Sequence, residues 1–152
     1  MTKVTITKNG YPNELAVLTD MERGESYVLA YGTQIVGFFT LSSHPDACYD
    51  EITDGKWSCD EPYCVLHRCA IDAEFRGSGL SAFMMNCAEE ICLSRGRHVM
   101  RVDTHRKNKA MQTMLARHGY QFRGNVLVLV SEGHDPRRKA YEKILHRKDC
   151  RK

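Results

Sequence analysis

The stretch Arg76-Gly77-Ser78-Gly79-Leu80-Ser81 joins an apolar, strand-like run at residues 63–71 to a helical pattern that starts near Gly79. Two glycines in a strand-to-helix turn strip side chains from the backbone, so that successive N–H groups can converge on one concavity. The helix that follows adds the partial positive charge of its N-terminus, and Arg76 adds a fork of donors matched to phosphate oxygens. That combination suits a phosphate. A short glycine-rich turn also occurs wherever a strand simply hands over to a helix, so its meaning depends on its surroundings.

Downstream, Leu80, Phe83, Met84, Cys87 and Ile91 recur at the spacing of a one-sided helix, and Gly96 is a natural C-terminal stop. Residues 98–103 read as a strand. Strand, turn, helix and strand within about 40 residues make a crossover unit, which places two strands parallel. A second helix is predicted from Asn108, a good N-cap, to Gly119, with Met111, Met114, Leu115 and His118 on one face. The chain then returns through Tyr120, Gln121 and Phe122 and, beyond Gly124, through residues 125–130. Ahead of all this, residues 26–31 and 35–41 flank Gly32-Thr33-Gln34 and predict a hairpin.

Length and composition agree with one α/β domain over residues 1–152. No linker or internal repeat divides the chain, and no apolar run reaches membrane-spanning length. The first residues lack a signal-peptide core. Seven cysteines do not cluster as in disulfide scaffolds, and no Cys-x-x-Cys occurs, so a reduced, cytoplasmic protein is expected. Cys59, Cys64, His67 and Cys69 could suggest zinc. Along one strand, however, Cys64 points away from His67 and Cys69, so no metal site is expected.

The order hairpin, strand, glycine turn, helix, strand, Asn-started helix, Gly-aromatic, strand resembles the GNAT N-acetyltransferase superfamily over residues 26–130. The family's acyl-CoA signature (Arg or Gln, two residues, Gly, one residue, Gly or Ala) falls on Arg76, Gly79 and Ser81, with a small residue at the last position. Its second signature, an Asn followed one helix later by Gly-Phe, falls on Asn108 and Gly119-Tyr120. Gly10-Tyr11-Pro12-Asn13, His67-Arg68 and Asp103-Thr104-His105 further resemble a bacterial GNAT subgroup, a likeness that lends fold more than substrate.

The resemblance implies a mixed, mostly antiparallel sheet flanked by helices, with a shortened N-terminus. Residues 12–23 can supply one helix, and the missing opening strand leaves an edge to cover. A homodimer would cover it; so would residues 1–8 pairing back as a short strand.

The resemblance also implies acetyl transfer from acetyl-CoA, the cosubstrate, to a primary amine of a small molecule or peptide. Arg76, Gly77, Ser78, Gly79, Leu80 and Ser81 would then hold the pyrophosphate, and Ile71 and Asn108 the pantetheine region. Backbone N–H of Ala70 or Ile71 would meet the thioester carbonyl. An alkyl amine, with a pKa near ~10, arrives protonated and needs a base before it can attack. His67 is the titratable side chain near neutrality in the strand before the turn. It is the candidate base, or else a core histidine hydrogen-bonded to a neighbour or paired with Asp103. Many family members carry a tyrosine as general acid where this chain has Leu115. That departure keeps a second function open, an acyl-CoA-binding sensor with weak or absent catalysis.

Charge is uneven although the net value is +3. Residues 44–62 are acidic and would form a solvated loop or, as the resemblance implies for a segment bordering the acceptor site, a lip that attracts a cationic amine; Tyr49 and Trp57 would wall that lip or serve as packing anchors. Residues 134–152 are basic and read as a charged helix with Tyr141, Ile144 and Leu145 inward. Nucleic-acid binding is not expected, because that tail lacks interleaved aromatics and the pI is only 8.5.

Overall fold

The computed structural model describes residues 4–8, 24–130 and 132–146. The motif Gly10-Tyr11-Pro12-Asn13 and the helix expected over residues 12–23 lie outside them. The chain divides into two compact units, Met1–Ser42 with Leu66–Ile91 and Ser43–Val65 with Cys92–Lys152. The units interleave along the sequence, because strand β4 (Cys64–Ile71) and helix α1 (Leu80–Ser94) each run through the division.

In the first unit, β1 (Val4–Lys8), β2 (Ser26–Tyr31) and β3 (Gln34–Ser42) pair antiparallel in that order. Tyr31 faces Gln34 across a two-residue Gly32-Thr33 turn, which is the predicted hairpin. Val4–Lys8 pairs back on Lys8↔Tyr27 through Val4↔Tyr31, so the β2 edge is covered from within the chain. A homodimer is not needed for that purpose. Val28, Leu29, Val36, Phe39 and Leu41 are buried, as are Leu66 and, on α1, Leu80, Met84, Met85 and Ala88. The helix has the predicted period, but its buried face is turned: Phe83 is 36% exposed while Met85 is fully buried. Leu80, Phe83, Met84, Met85, Cys87, Ile91, Cys92 and Leu93 are not confined to one stripe of this helix, so spacing alone left the phase open.

In the second unit, the first two residues of β4 pair parallel with β5 (Val99–His105), Cys64 with Met100 and Val65 with Arg101. This is the parallel ladder that the crossover unit predicts. β7 (Arg137–Ile144) lies between β5 and β6 (Gln121–Leu127), antiparallel to both. The second helix, α2 (Lys109–Arg117), starts where expected: the Asn108 side chain accepts from Met111 N at 3.1 Å. Tyr49, Val65, Val126 and Ala140 form the core, with Ile52, Trp57 and Tyr63 packed against it.

The basic tail corrects the sequence reading, because Arg137–Ile144 is a strand and not a helix. Tyr141, Ile144 and Leu145 do fall at helical spacing. The buried residues, however, are Ala140, Tyr141, Glu142 and Leu145, and pairing with strands on both sides outweighs the local pattern. Among the described residues no helix is long and apolar enough to cross a membrane. None of their His, Cys, Asp and Glu side chains form a group of three or more placed to hold a metal ion.

Candidate functional site

β4 ends at Ile71, and Asp72 N donates to Val36 O at 2.8 Å. The Asp72 carboxylate then caps a short 3₁₀ turn, Ala73–Phe75, by accepting from Glu74 N at 3.0 Å. The Phe75 ring packs on Tyr31 at 5.6 Å between centroids, which pins the turn to the hairpin. Arg76 N donates to Ala73 O and Ser78 N to Phe75 O, both at 3.2 Å. The Ser78 hydroxyl donates to Phe75 O and accepts from Leu80 N. Ser78 therefore holds the turn and starts α1 rather than presenting its own donors outward.

What remains open is the set of donors a phosphate needs. The N–H groups of Gly77, Gly79 and Ser81 make no hydrogen bond with the described residues. Gly77 and Gly79 have φ of 75° and 89°, and nothing lies within 4 Å of where a Cβ would stand. Both residues occupy the left-handed region that glycine enters without steric cost. Arg76 is exposed beside them, and α1 aims its N-terminus at the same space. Leu80, buried, seals the turn from below. The residues present fit an anion of the pyrophosphate kind.

Upstream, Ala70 and Ile71 line an apolar depression of about 290 Å³ with residues 35–38 and Asp72. His67 is half-buried in β4 and has partners of its own. The next residue, Arg68, has φ of 44°, a left-handed kink that interrupts the alternation of the strand and that the sequence does not announce. Burial pushes the Cys69 thiol up to about 11, which removes it as a nucleophile at neutral pH.

In the second unit, Asp103 accepts from the Tyr49 hydroxyl at 2.6 Å. Burial and the Asp103 charge hold the Tyr49 phenol far above its ordinary range. Tyr49 and Trp57 are packing anchors and not walls of an open lip. Tyr49 is 1% exposed, and Trp57 Nε1 donates to its carbonyl at 2.8 Å. Leu115 is fully buried, so the position where many family members carry tyrosine is core here. Tyr120 is buried as well, its ring 6.5 Å from that of His118.

Sequence reading missed the charged network beneath this core. Glu142, 1% exposed, accepts from Arg101 Nε at 3.0 Å, Arg123 Nε at 3.1 Å, and both Ser58 N and Ser58 Oγ. The Arg101 guanidinium lies 4.3 Å from the ring centroids of both Trp57 and Tyr63. Only the fold brings these residues together. Also missed was a cavity of about 530 Å³ where Glu51 and Asp54 of the acidic segment face a larger number of cations.

Comparison with known proteins is consistent with this geometry. The model of the acetyltransferase (GNAT) family matches residues 6–120. A GNAT-family acetyltransferase structure from Streptococcus agalactiae is 32% identical, with a TM-score of 0.75 over 91% of this chain and 76% of that one. An acetyltransferase from Bacillus subtilis in complex with CoA is 12% identical, with a TM-score of 0.70 over 95% of this chain and 100% of that one. A Salmonella typhimurium structure with its cofactor acetyl-CoA, also 12% identical, has a TM-score of 0.60 over 81% of this chain and 65% of that one. The last two are likenesses of fold. No curated protein matches the sequence. The match over residues 6–120, on a chain whose glycine turn leaves its donors open, places it in the GNAT acetyltransferase family, acyltransferases whose cosubstrate is acetyl-CoA.

Proposed function

We propose that the protein is an N-acetyltransferase that acts on a primary amine of a small molecule or peptide. The observation that carries the reading is the glycine turn, whose N–H groups at Gly77, Gly79 and Ser81 stay unengaged at the start of a long helix. Those groups and Arg76 would hold the pyrophosphate of acetyl-CoA, with Ser78 and Leu80 shaping the turn. Backbone groups of Ala70 and Ile71 would meet the thioester, and Asn108, which already caps α2, would serve the pantetheine region. When bound, acetyl-CoA supplies an activated acetyl group and leaves as the free thiol.

The work left to side chains is proton movement. An amine that arrives protonated must lose a proton before it forms the amide bond. His67 is the base on this reading, directly or through one water. No side chain at position 115 can protonate the departing thiolate, because Leu115 has no proton to give. A CoA thiol, with a pKa close to the ~8.5 of cysteine, is a tolerable leaving group without that help. The same residue favours a second reading, an acyl-CoA-binding protein that turns over slowly or not at all. The six cysteines among the described residues are free thiols, which agrees with a cytoplasmic setting.

Release of free thiol from acetyl-CoA across a panel of amines separates the two readings. With an accepted amine, His67→Ala should lower kcat/KM by about 10² to 10⁴ and leave CoA affinity nearly intact. His67→Gln should in addition erase the acid limb of the wild-type pH profile. An unchanged rate and profile would leave His67 with a structural role, and no thiol release with any amine would favour the binding protein.

A further inference from the structure

The cavity of about 530 Å³ in the second unit is lined by none of the residues given a role in cofactor binding or catalysis above. Five of its lining residues are cations: Arg106, Lys109, Arg137, Arg138 and Lys139. Two are carboxylates, Glu51 and Asp54, so the lining carries three positive charges in excess. The volume is that of a small-molecule site. A concave wall of one sign focuses the field and raises the local concentration of the opposite ion.

The cations are poorly matched from within. Asp135 alone accepts from Arg106 Nε at 2.8 Å and Arg137 Nε at 3.0 Å. This leaves the terminal nitrogens of Arg106 without a partner among the described residues. Among the described residues Arg138 donates only to the carbonyls of Asp135 and Arg137, and none of them gives it a counter-ion. Lys139 has only the Phe122 ring, at 5.0 Å, and Lys109 has no side-chain partner among the described residues. Of the two carboxylates, Asp54 is taken by Asn125 Nδ2 at 2.8 Å and not by a cation.

Another part of the lining is fixed by backbone pairing. Thr53 and Asn125 exchange backbone hydrogen bonds at 2.9 and 2.8 Å. This close approach requires Gly124, where a Cβ would stand 2.5 Å from Thr53 O. The fold thus holds a fixed pocket against an excess of unneutralised charge.

We propose that this cavity binds a small organic anion bearing carboxylate or phosphate groups. Arg106 and Arg138 supply planar donors for paired oxygens, and Lys109 and Lys139 supply mobile point charges at the rim. The anionic group belongs to a metabolite separate from CoA, and competition with CoA tests that assignment.

Succinate and inorganic phosphate, titrated calorimetrically into the full chain at low salt, should each bind saturably. The double substitution Lys109→Gln with Lys139→Gln should weaken both by at least about tenfold, with an unchanged melting temperature. Glu51→Gln, which removes an opposing charge, should tighten both a few-fold. Displacement of succinate by CoA would assign the cavity to the cofactor and overturn the proposal. Saturable binding of succinate that CoA does not displace supports a separate anion. Absence of saturable binding by either probe, or equal affinity in wild type and double variant, overturns the proposal. Neither His67 nor the glycine turn enters it, so a failure of acetyl transfer in solution leaves it standing.

Discussion

The glycine turn at residues 76–81 and the basic cavity at Arg106, Lys109 and residues 137–139 both offer positive charge, yet they are built in opposite ways. The turn is contiguous and uses backbone: open N–H groups, two glycines at positive φ and the end of a helix. The cavity is assembled from four separated segments and uses long cationic side chains. A backbone site depends on local dihedrals and tolerates changes in neighbouring side chains. A side-chain site depends on the tertiary packing that delivers its members, and one distant substitution can undo it. The difference decides both what mutation will do and what sequence can reveal.

The largest expected effect lies in the buried Glu142 network. Glu142→Ala leaves the guanidinium of Arg101, itself 5% exposed, buried without its counter-charge. Removing one partner of such a pair costs about 3–5 kcal/mol, to be read from urea unfolding. A loss below about 1 kcal/mol would mean that this network does not hold β7 in place.

In the turn, backbone and side-chain changes should part company. Gly79→Ala forces an L residue to φ of 89° and should cost about 1–2 kcal/mol of stability while weakening CoA. Arg76→Ala, on an exposed side chain, should leave stability within about 0.5 kcal/mol and weaken CoA by about tenfold. Equal stability losses in the two variants would break the contrast.

The smallest effect concerns pH. Hydrogen bonds from Arg137 and Arg106 hold the Asp135 carboxyl well below the usual carboxylate range. With its folded value depressed, its contribution is fully present above the unfolded pKa of about 3.9 and is lost as pH falls through the folded value. The melting temperature of Asp135→Asn should therefore trail wild type by a small, constant margin from neutral to mildly acidic pH, and the gap should close in strong acid. A gap that stays the same from neutral pH into strong acid would show a carboxylate with an unshifted pKa and no such pairing.

Most of the framework was legible in the sequence because it is local. The crossover from β4 through α1 to β5, the hairpin, the Asn108 cap and the glycine turn each depend on neighbours in the chain. What stayed hidden depends on partners far away. Tyr141, Ile144 and Leu145 fit a helix until β5 and β6 claim the segment as a strand. The buried Glu142 defeats any apolar pattern there. The acidic segment suggests a cation-attracting lip only until Glu51 and Asp54 are set against five cations. Arg68 gives no hint of its positive φ, because nothing in a β-strand pattern marks a single reversed residue.

Calorimetric titration of acetyl-CoA into the wild-type chain and the Gly79→Ala variant tests the central claim most directly. The backbone account predicts saturable binding of one acetyl-CoA per chain, weakened by at least about tenfold in the variant even though no side-chain contact is removed. Absence of saturable binding by the wild type, or identical affinity in the two proteins, would contradict it.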